Sequence, residues 1–391
     1  MKKLFFCLLF MSPWLLFSQG AFNLMPNPLA SASGTVNIIT GSSLNNVFAV
    51  GQVSGVSQVI KYDGSSWTTN YTSPGIVLSE MKFLNSTVGY MLGGNGGLFK
   101  YNGSSWDLLG QYTTYSDVGL SIISENDVWF CGSYANIVHY NGTTGNLVWS
   151  NSPFGVSFRD IIAFSDSDIW LLGNYWDGTN STTKLYHFDG NSNLVEKMSL
   201  PGEDPIEFLS LDANHFMILG YYKAYIYDLT ANSYVESHTW GLGNAVSMTM
   251  LDSKKVIVGL AGFGIAIYNN NVWSETDEVH GHHIWSPPGD DNNIFLTGMN
   301  GQIYLWDGQL SGVSENDQSA LAIYPNPTSD KIFLEGNTKE AKLYDLTGKL
   351  VAEPYCSNGQ TIIDLQLLPQ SMYILKAQVD DQLITKKIIK K

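Results

Sequence analysis

The chain has 391 residues, of which 14% are charged and 13% aromatic, and its formal net charge is −15. This composition argues against coiled coil and disorder and favours a β-rich extracellular protein with room for more than one domain. Residues 21–310 carry 25 Asp and Glu against 9 Lys and Arg, and Arg159 is the single arginine. Because such a surface repels phosphate groups, we expect no nucleic-acid partner and no binding to anionic membranes.

The first twenty residues have the pattern of a secretory signal peptide. Two lysines stand near the start, a mostly apolar run from Leu4 to Phe17 follows, and the small residues Ser18 and Gly20 lie near a cleavage point. The apolar run is too short to span a bilayer. We therefore predict a signal peptide over residues 1–20 and a mature chain without a membrane-spanning segment, with cleavage after either Gln19 or Gly20.

A unit of about 40 residues then recurs seven times, as expected for a repeat architecture. Each unit contains a glycine that ends a strand-like segment, and an aromatic residue follows it, in most units directly before Asn-Gly or Asp-Gly. The repeat glycines, 39 to 47 residues apart, are Gly51, Gly93, Gly132, Gly173, Gly220, Gly259 and Gly298. This pattern predicts an all-β fold, a seven-bladed β-propeller over residues 21–310 with four strands in each blade.

The third repeat shows the expected strands most clearly. We predict strands over Leu120–Ser124, Val128–Cys131 and Ile137–Tyr140, a turn at Asn141-Gly142, and a fourth strand that contains Trp149. Asn-Gly is a strong hairpin signal because both residues tolerate positive φ.

The seventh repeat lacks a fourth strand of its own after Gly308. The segment Phe22–Met25 precedes the first repeat at the place where a fourth strand would stand. We predict that it completes the seventh blade and closes the ring, because an open ring would leave two unpaired sheet edges.

Residues 321–391 have a different character, and residues 311–320 form a linker before them. Short alternating segments predict a small Ig-like β-sandwich, with a hairpin over Ala341–Val351 and later strands over Thr361–Leu365 and Tyr373–Ala377. The motif residues at its start, central turn and basic end are Tyr324, Pro325, Asn326, Pro327, Gly348, Lys386, Lys387, Lys390 and Lys391.

These motifs resemble the type A C-terminal sorting domain of type IX secretion cargo from Bacteroidota. The resemblance implies passage through the periplasm, export by the type IX secretion machinery, and a place in the extracellular space or on the outer cell surface. The repeats, in turn, resemble those of secreted bacterial β-propellers, best seen at Asn126-Asp127-Val128-Trp129 and at residues 62–67.

Insertions between the second and third strands lengthen repeats one and four, the latter at Asn174–Thr183. In propellers these loops share one face with the links between blades, and variable loops on a rigid scaffold commonly carry binding sites. Exposed aromatic rings there either bind a sugar ring or a protein surface, or simply cover the ends of the blades. The side chains that we assign to this face are Tyr134, Tyr175, Trp176, Asp177, Tyr221 and Tyr222.

The first strand of each blade begins on the same face, beside the central channel. Counting thirteen residues back from the repeat glycine gives three acids, and an arginine and two histidines lie close to equivalent points. Converging carboxylates bind a cation or act as an acid/base pair, or they line the solvated mouth of a channel in an acidic protein. These candidate residues are Glu80, Arg159, Asp160, Glu207, His282 and His283.

The sequence lacks the motifs that several classes of enzyme and metal-binding protein require. The cluster His280-Gly281-His282-His283 suits Zn or Cu, but a metal site also needs fixed geometry and outer-shell support, so we predict no metal and no cofactor. A sialidase needs a cluster of arginines for the substrate carboxylate, which the single arginine cannot supply. The chain contains neither a Gly-x-Ser-x-Gly elbow nor a glycine-rich phosphate loop.

We therefore predict a non-catalytic secreted propeller that binds a glycan or a protein through its loop-rich face. The alternative is a glycan-active hydrolase or lyase that uses the channel carboxylates with His282 or His283. A third reading is a purely structural module of the cell envelope.

Overall fold

The structure is a computed structural model that describes residues 22–306 and 322–391, apart from short segments. Those segments are residues 74, 95, 115, 151–154, 252–254, 262–263, 277–282, 291, 325–327, 336–337, 346–348, 358–359 and 380–381. The predicted signal peptide and linker lie outside the described residues. The chain divides into two compact units, Met1–Leu310 and Ser311–Lys391.

The described part of the first unit forms seven four-stranded antiparallel sheets, here called blades 1 to 7 in chain order. Blades 1 to 4 comprise β2 (Thr35–Ser43), β3 (Asn46–Val53), β4 (Val56–Tyr62), β5 (Trp67–Ser73), β6 (Leu78–Phe83), β7 (Gly89–Gly93), β8 (Gly97–Tyr101), β9 (Trp106–Gln111), β10 (Asp117–Ser124), β11 (Asp127–Gly132), β12 (Ile137–Tyr140), β13 (Gly145–Trp149), β14 (Val156–Ser165), β15 (Asp168–Trp176), β16 (Ser181–Phe188) and β17 (Leu194–Pro201). Blades 5 to 7 comprise β18 (Pro205–Asp212), β19 (His215–Gly220), β20 (Lys223–Asp228), β21 (Ser233–Thr239), β22 (Ala245–Met250), β23 (Lys255–Leu260), β24 (Gly264–Asn269), β25 (Val272–Thr276), β26 (Ile284–Trp285), β27 (Ile294–Thr297), β28 (Ile303–Trp306) and β1 (Phe22–Met25). The two 3₁₀ turns are η1 (Ser133–Ala135) and η2 (Met299–Gly301).

The N-terminal strand β1 completes blade 7. It pairs antiparallel with β28, with Phe22 opposite Trp306 and Met25 opposite Ile303. The Phe22 and Trp306 rings pack with their centroids 5.1 Å apart. The last blade is therefore assembled from the two ends of the first unit.

Neighbouring blades share their cores. Seven clusters of buried apolar residues are found among the described residues of the first unit, and each draws on two adjacent blades, including one between blades 7 and 1. Middle strands such as β3 and β7 are buried along most or all of their length because a blade covers each face. Tryptophans lie at these junctions: Trp106 contacts Phe48 of blade 1, and Trp149 contacts Phe188 of blade 4.

The insertions in repeats one and four lengthen hairpins rather than forming loops, in contrast to the sequence-based expectation. In blade 4, β15 continues to Trp176 and β16 begins at Ser181, so only residues 177–180 form the turn. In blade 1 the turn is Ser54-Gly55 alone. The physical reason is that antiparallel backbone pairing continues through the inserted residues and satisfies their hydrogen-bonding groups.

The second unit is a β-sandwich with two four-stranded sheets among its described residues. Its strands are β29 (Ala322–Tyr324), β30 (Lys331–Glu335), β31 (Thr338–Tyr344), β32 (Leu350–Ala352), β33 (Tyr355–Ser357), β34 (Gln360–Asp364), β35 (Met372–Val379) and β36 (Gln382–Ile389). One core joins the two sheets, with Ile332 and Ile363 from one and Leu343 and Leu375 from the other. Its stability therefore comes from packing between sheets.

Candidate functional site

A cavity of about 710 Å³ opens along the axis of the first unit. Residues of the innermost strands β2, β6, β10, β14, β18, β22 and β26, or immediately beside them, line it. Five of the predicted site residues meet here, namely Glu80, Arg159, Asp160, Glu207 and His283. His282 lies outside the described residues.

The three acids occupy equivalent backbone positions. A β-bulge interrupts the inner strand of each of blades 1 to 6, and pairing resumes after it at Glu80 in blade 2, Asp160 in blade 4 and Glu207 in blade 5. Glu80, Asp160 and Glu207 pair with Leu92, Leu172 and Leu219, each directly before a repeat glycine. This constant register explains why counting from the glycines finds them.

Asp160 ties two blades together. Its Oδ1 accepts the N–H of Ile161 at 2.8 Å, and its Oδ2 accepts the N–H of Phe208 in the next blade at 3.1 Å. Glu207 repeats the second contact by accepting the N–H of Met248, one blade further on. Asp160 is only 7% exposed, so its carboxylate is held by the fold and is largely withdrawn from a ligand.

The sequence analysis did not identify Lys82, which adds a positive charge to the channel besides Arg159. Its Nζ lies 3.5 Å from Asp160 Oδ1, and its side chain stays 41% exposed to the channel, so water partly screens this ion pair. The neighbouring carboxylates of Asp160, Glu80 and Glu207 raise the pKa of Lys82 against the opposing effect of burial. Strand alternation was the available signal, because Lys82 follows Glu80 by two residues and so shares its face.

The two glutamates have raised pKa values. Burial raises the pKa of Glu80 to about 7, with Asp160 adding to the shift and Lys82 opposing it. Burial and then the charge of Asp160 raise the pKa of Glu207 to about 8, opposed by the N–H of Met248. At neutral pH the channel therefore holds two glutamates that are partly or mostly protonated, beside a charged Lys82.

The predicted aromatic side chains extend over blades 3, 4 and 5. Trp176 is 55% exposed, Tyr222 51% and Tyr134 48%. Tyr221 and Tyr175 are half-buried, and the rings of Tyr221 and Tyr222 meet edge to face with centroids 4.9 Å apart. We call the exposed trio Tyr134, Trp176 and Tyr222 the aromatic face.

Two of the predicted loop residues are already engaged within the fold. Asp177 Oδ1 accepts the N–H groups of Thr179 and Asn180 at 2.7 and 2.8 Å, which closes the turn and lowers the pKa of Asp177. Lys184 Nζ lies 4.7 Å from the ring centroid of Tyr175. Both side chains therefore support the long hairpin of blade 4.

Polar groups surround the cavity on the side of blades 4 and 5. Asn174 Nδ2 donates to Asp204 Oδ1 at 3.3 Å, and the hydroxyl of Ser181 contacts the same carboxylate oxygen. Arg159 is exposed, and none of the described residues forms an ion pair with its guanidinium. In the equivalent region of blade 7, the His283 N–H donates to Thr297 Oγ1 at 3.0 Å.

The sorting-motif residues fall partly inside the description of the second unit. Tyr324 ends β29, while Lys386 and Lys387 lie in β36; Pro325, Asn326, Pro327 and Gly348 lie outside the described residues. Lys390 Nζ donates to the Ser329 carbonyl at 2.6 Å, and the Lys391 N–H donates to the Thr328 carbonyl at 2.8 Å. These bonds tie the basic terminus to the segment that precedes β30.

Residues 322–391 match the family described as "Secretion system C-terminal sorting domain". The second unit is thus the sorting domain of type IX secretion, as the motifs predicted. It directs export to the cell surface or the extracellular space and implies contact with the secretion machinery. No curated protein sequence matches the chain.

Solved structures establish the fold of the first unit. YCF48 from Cyanidioschyzon merolae is 14% identical with a TM-score of 0.54, covering 73% of this chain and 98% of that chain. The WD40 β-propeller domain of Doa1 is 13% identical with a TM-score of 0.55, covering 74% and 96%. The extracellular domain of BT4673 from B. thetaiotaomicron is 13% identical with a TM-score of 0.57, covering 93% of this chain and 52% of that chain. The chain is a β-propeller followed by a sorting domain.

Among the described residues no helix has the length and apolar character needed to cross a membrane.

Proposed function

We propose that the protein is a secreted or surface-attached seven-bladed propeller that binds a glycan or a protein through the aromatic face and the adjoining channel mouth. The observation that carries this proposal is the exposure of large aromatic rings on three consecutive blades, with Trp176 at the tip of the extended β15–β16 hairpin. Exposed rings of this size beside polar groups are typical of sugar-stacking platforms and of protein hot spots.

The polar residues beside the rings would orient the bound ligand through hydrogen bonds. Asn174 and Asp204 present amide and carboxylate groups for hydroxyl or backbone partners, and Arg159 can donate several hydrogen bonds in one plane. The proposal includes the domain limits: signal peptide 1–20, propeller 21–310, linker 311–320 and sorting domain 321–391. The proposal also includes an origin in Bacteroidota, because the sorting motifs resemble those of type IX secretion cargo from that group.

The test is a glycan and cell-surface protein array probed with the mature secreted protein. We expect a selective ligand whose binding falls on the order of 10- to 100-fold in Trp176→Ala and in Tyr222→Ala, as for a hot spot of about 1.4–3 kcal/mol. Leu147→Ala is the matched control, because Leu147 is 49% exposed on the outer strand of blade 3. A ligand whose affinity is equal in all four proteins would contradict the proposal, and a blank array would favour the structural-module reading.

A hydrolase or lyase remains the second candidate because of the two channel glutamates. A carboxyl with a pKa of about 7 or 8 is protonated near neutrality and can act as a general acid, a role open to Glu80 and Glu207. If this activity exists, Glu207→Gln abolishes the formation of product, while the affinity for the ligand stays within about twofold of the wild-type value. Ligand binding by the wild type without any released product would argue against it.

A further inference from the structure

A group of metal-ligating side chains lies away from the channel, where blades 3 and 4 meet. Asp127 begins β11, His139 lies on β12, and Asp166 lies in the turn between β14 and β15 of the next blade. His139 Nε2 is 2.9 Å from Asp127 Oδ1 and 3.9 Å from Asp166 Oδ1. One ligand atom from each of the three residues lies within 4.8 Å of the others.

These separations fit three ligands around one ion. Bonds of about 2.0–2.2 Å to a common metal place neighbouring ligand atoms about 3–4 Å apart, so only small side-chain rotations are needed. Asp166 is 71% exposed and free to make such a rotation. His139 is held in place, because its ring stacks on Trp129 with centroids 4.1 Å apart and an interplanar angle of 8°.

Blade 4 contains the same pair without the third ligand, and its geometry differs. Asp168 and His187 are the counterparts of Asp127 and His139, since each histidine pairs across its hairpin with a tryptophan two residues after the acid. There the Trp170 indole N–H donates to Asp168 Oδ1 at 2.9 Å, so that oxygen is shared between the indole and the imidazole.

In blade 3 the corresponding tryptophan, Trp129, does not donate a hydrogen bond to the carboxylate of Asp127. The Trp129 Nε1 atom is buried and has no hydrogen-bond partner among the described residues. Asp127 Oδ1 therefore faces His139 without the competing indole bond seen in blade 4. In the turn of blade 5 the residue equivalent to Asp166 is Ala213, so among the described residues the blade 4 pair has no counterpart of the third carboxylate.

We propose that Asp127, His139 and Asp166 form a binding site for a divalent transition metal, best probed with Zn²⁺, that links blades 3 and 4. One imidazole and two carboxylates suit borderline metals, whereas Ca²⁺ prefers an all-oxygen set. Remaining coordination positions belong to water. A metal bound only by the folded state stabilises that state by mass action.

The test is calorimetric titration of tag-free, chelator-stripped mature protein with Zn²⁺ and with Ca²⁺, supported by Co²⁺ absorption spectra. We expect saturable Zn²⁺ binding, a Co²⁺ spectrum with imidazole and carboxylate character, and much weaker Ca²⁺ binding. Asp166→Asn should weaken Zn²⁺ binding on the order of 10- to 100-fold. Because Asp166 is exposed, this variant is expected to fold, and His139→Gln provides the second ligand change.

His187→Gln is the matched control, since it alters the equivalent pair that lacks a third carboxylate, and it should leave Zn²⁺ affinity unchanged. Equal Zn²⁺ affinity in the wild type and Asp166→Asn would overturn the proposal, as would absence of Zn²⁺ binding. Binding that survives Asp166→Asn and disappears in His282→Ala would place the metal at the histidine-rich segment 280–283 instead.

Discussion

For single residues, the backbone register determined which channel side chains could be predicted from the sequence. Glu80, Asp160 and Glu207 could be placed beside the channel because the distance from the repeat glycine is the same in blades 2, 4 and 5. Their partners could not be foretold, since the Phe208 and Met248 N–H groups that bind Asp160 and Glu207 belong to the following blade. Strand alternation could have placed Lys82 on the face of Glu80, but its ion pair with Asp160 joins two blades and depends on a distance across the channel.

Replacing Asp160 tests its role as an inter-blade tie. In Asp160→Ala the buried N–H groups of Ile161 and Phe208 lose their acceptor and Lys82 loses its counter-charge. We expect a loss of about 2–4 kcal/mol in unfolding free energy, measured by urea denaturation. Tryptophan fluorescence reports the propeller alone, because all 11 tryptophans precede residue 311.

Arg159→Ala is the neighbouring control and should change the unfolding free energy by less than about 0.5 kcal/mol. An Asp160→Ala protein as stable as this control would show that the bridge across the blades contributes nothing.

The raised pKa values of the channel glutamates give a pH dependence with a definite sign. In the folded state Glu80 and Glu207 hold a proton up to their pKa values of about 7 and 8, whereas in the unfolded chain they release it near the ordinary glutamate pKa of 4.5. Their contribution to stability is therefore fully present below pH 4.5 and is lost as the pH rises through about 7 to 8.

We therefore expect the double variant Glu80→Gln/Glu207→Gln to lose less stability than the wild type between pH 5 and pH 8, in urea unfolding followed by fluorescence. Comparison within one pH series cancels the contribution of the histidines. Parallel pH profiles for the two proteins would refute the assigned protonation states.

At the scale of elements, the strands were largely predictable and the hairpin ends were not. The third repeat forms strands Asp117–Ser124, Asp127–Gly132, Ile137–Tyr140 and Gly145–Trp149, which contain the predicted segments. Alternation and glycine turns encode these strands locally. The inserted residues 174–183 contain polar and small side chains that suggest a loop, and only pairing between β15 and β16 makes them a hairpin.

Removing β1 tests the closure of blade 7. A mature chain that begins at Pro26 lacks the pairing with β28 and the packing of Phe22 on Trp306, yet it keeps the buried Leu29. We expect a loss of about 3 kcal/mol or more and a tendency to self-associate through the exposed edge of β28. Thermal unfolding and light scattering measure the two effects.

Leu24→Ala serves as the control for this deletion, because Leu24 is 54% exposed and its removal leaves the backbone pairing intact. A truncated chain that melts with the control and stays monomeric would mean that β1 does not close the blade in solution.

At the scale of the whole molecule, the same repeat architecture provides both the stability and the proposed function. Each apolar cluster is shared by two blades, so the scaffold is continuous around the channel, while the hairpin turns on one face vary in length and composition. The tail carries the export information, and its motifs were readable because a sorting signal is a local sequence feature. The identity of the proposed ligand depends on how side chains are arranged on a surface, and sequence repeats do not encode that arrangement.

The most direct measurement is hydrogen–deuterium exchange of the mature protein with and without a ligand selected on the array. We expect protection concentrated in residues 133–136, 174–181 and 221–222, which hold Tyr134, Trp176 and Tyr222, and no such protection in Trp176→Ala. Protection confined to the outer strands or to the sorting domain would contradict the proposed binding face.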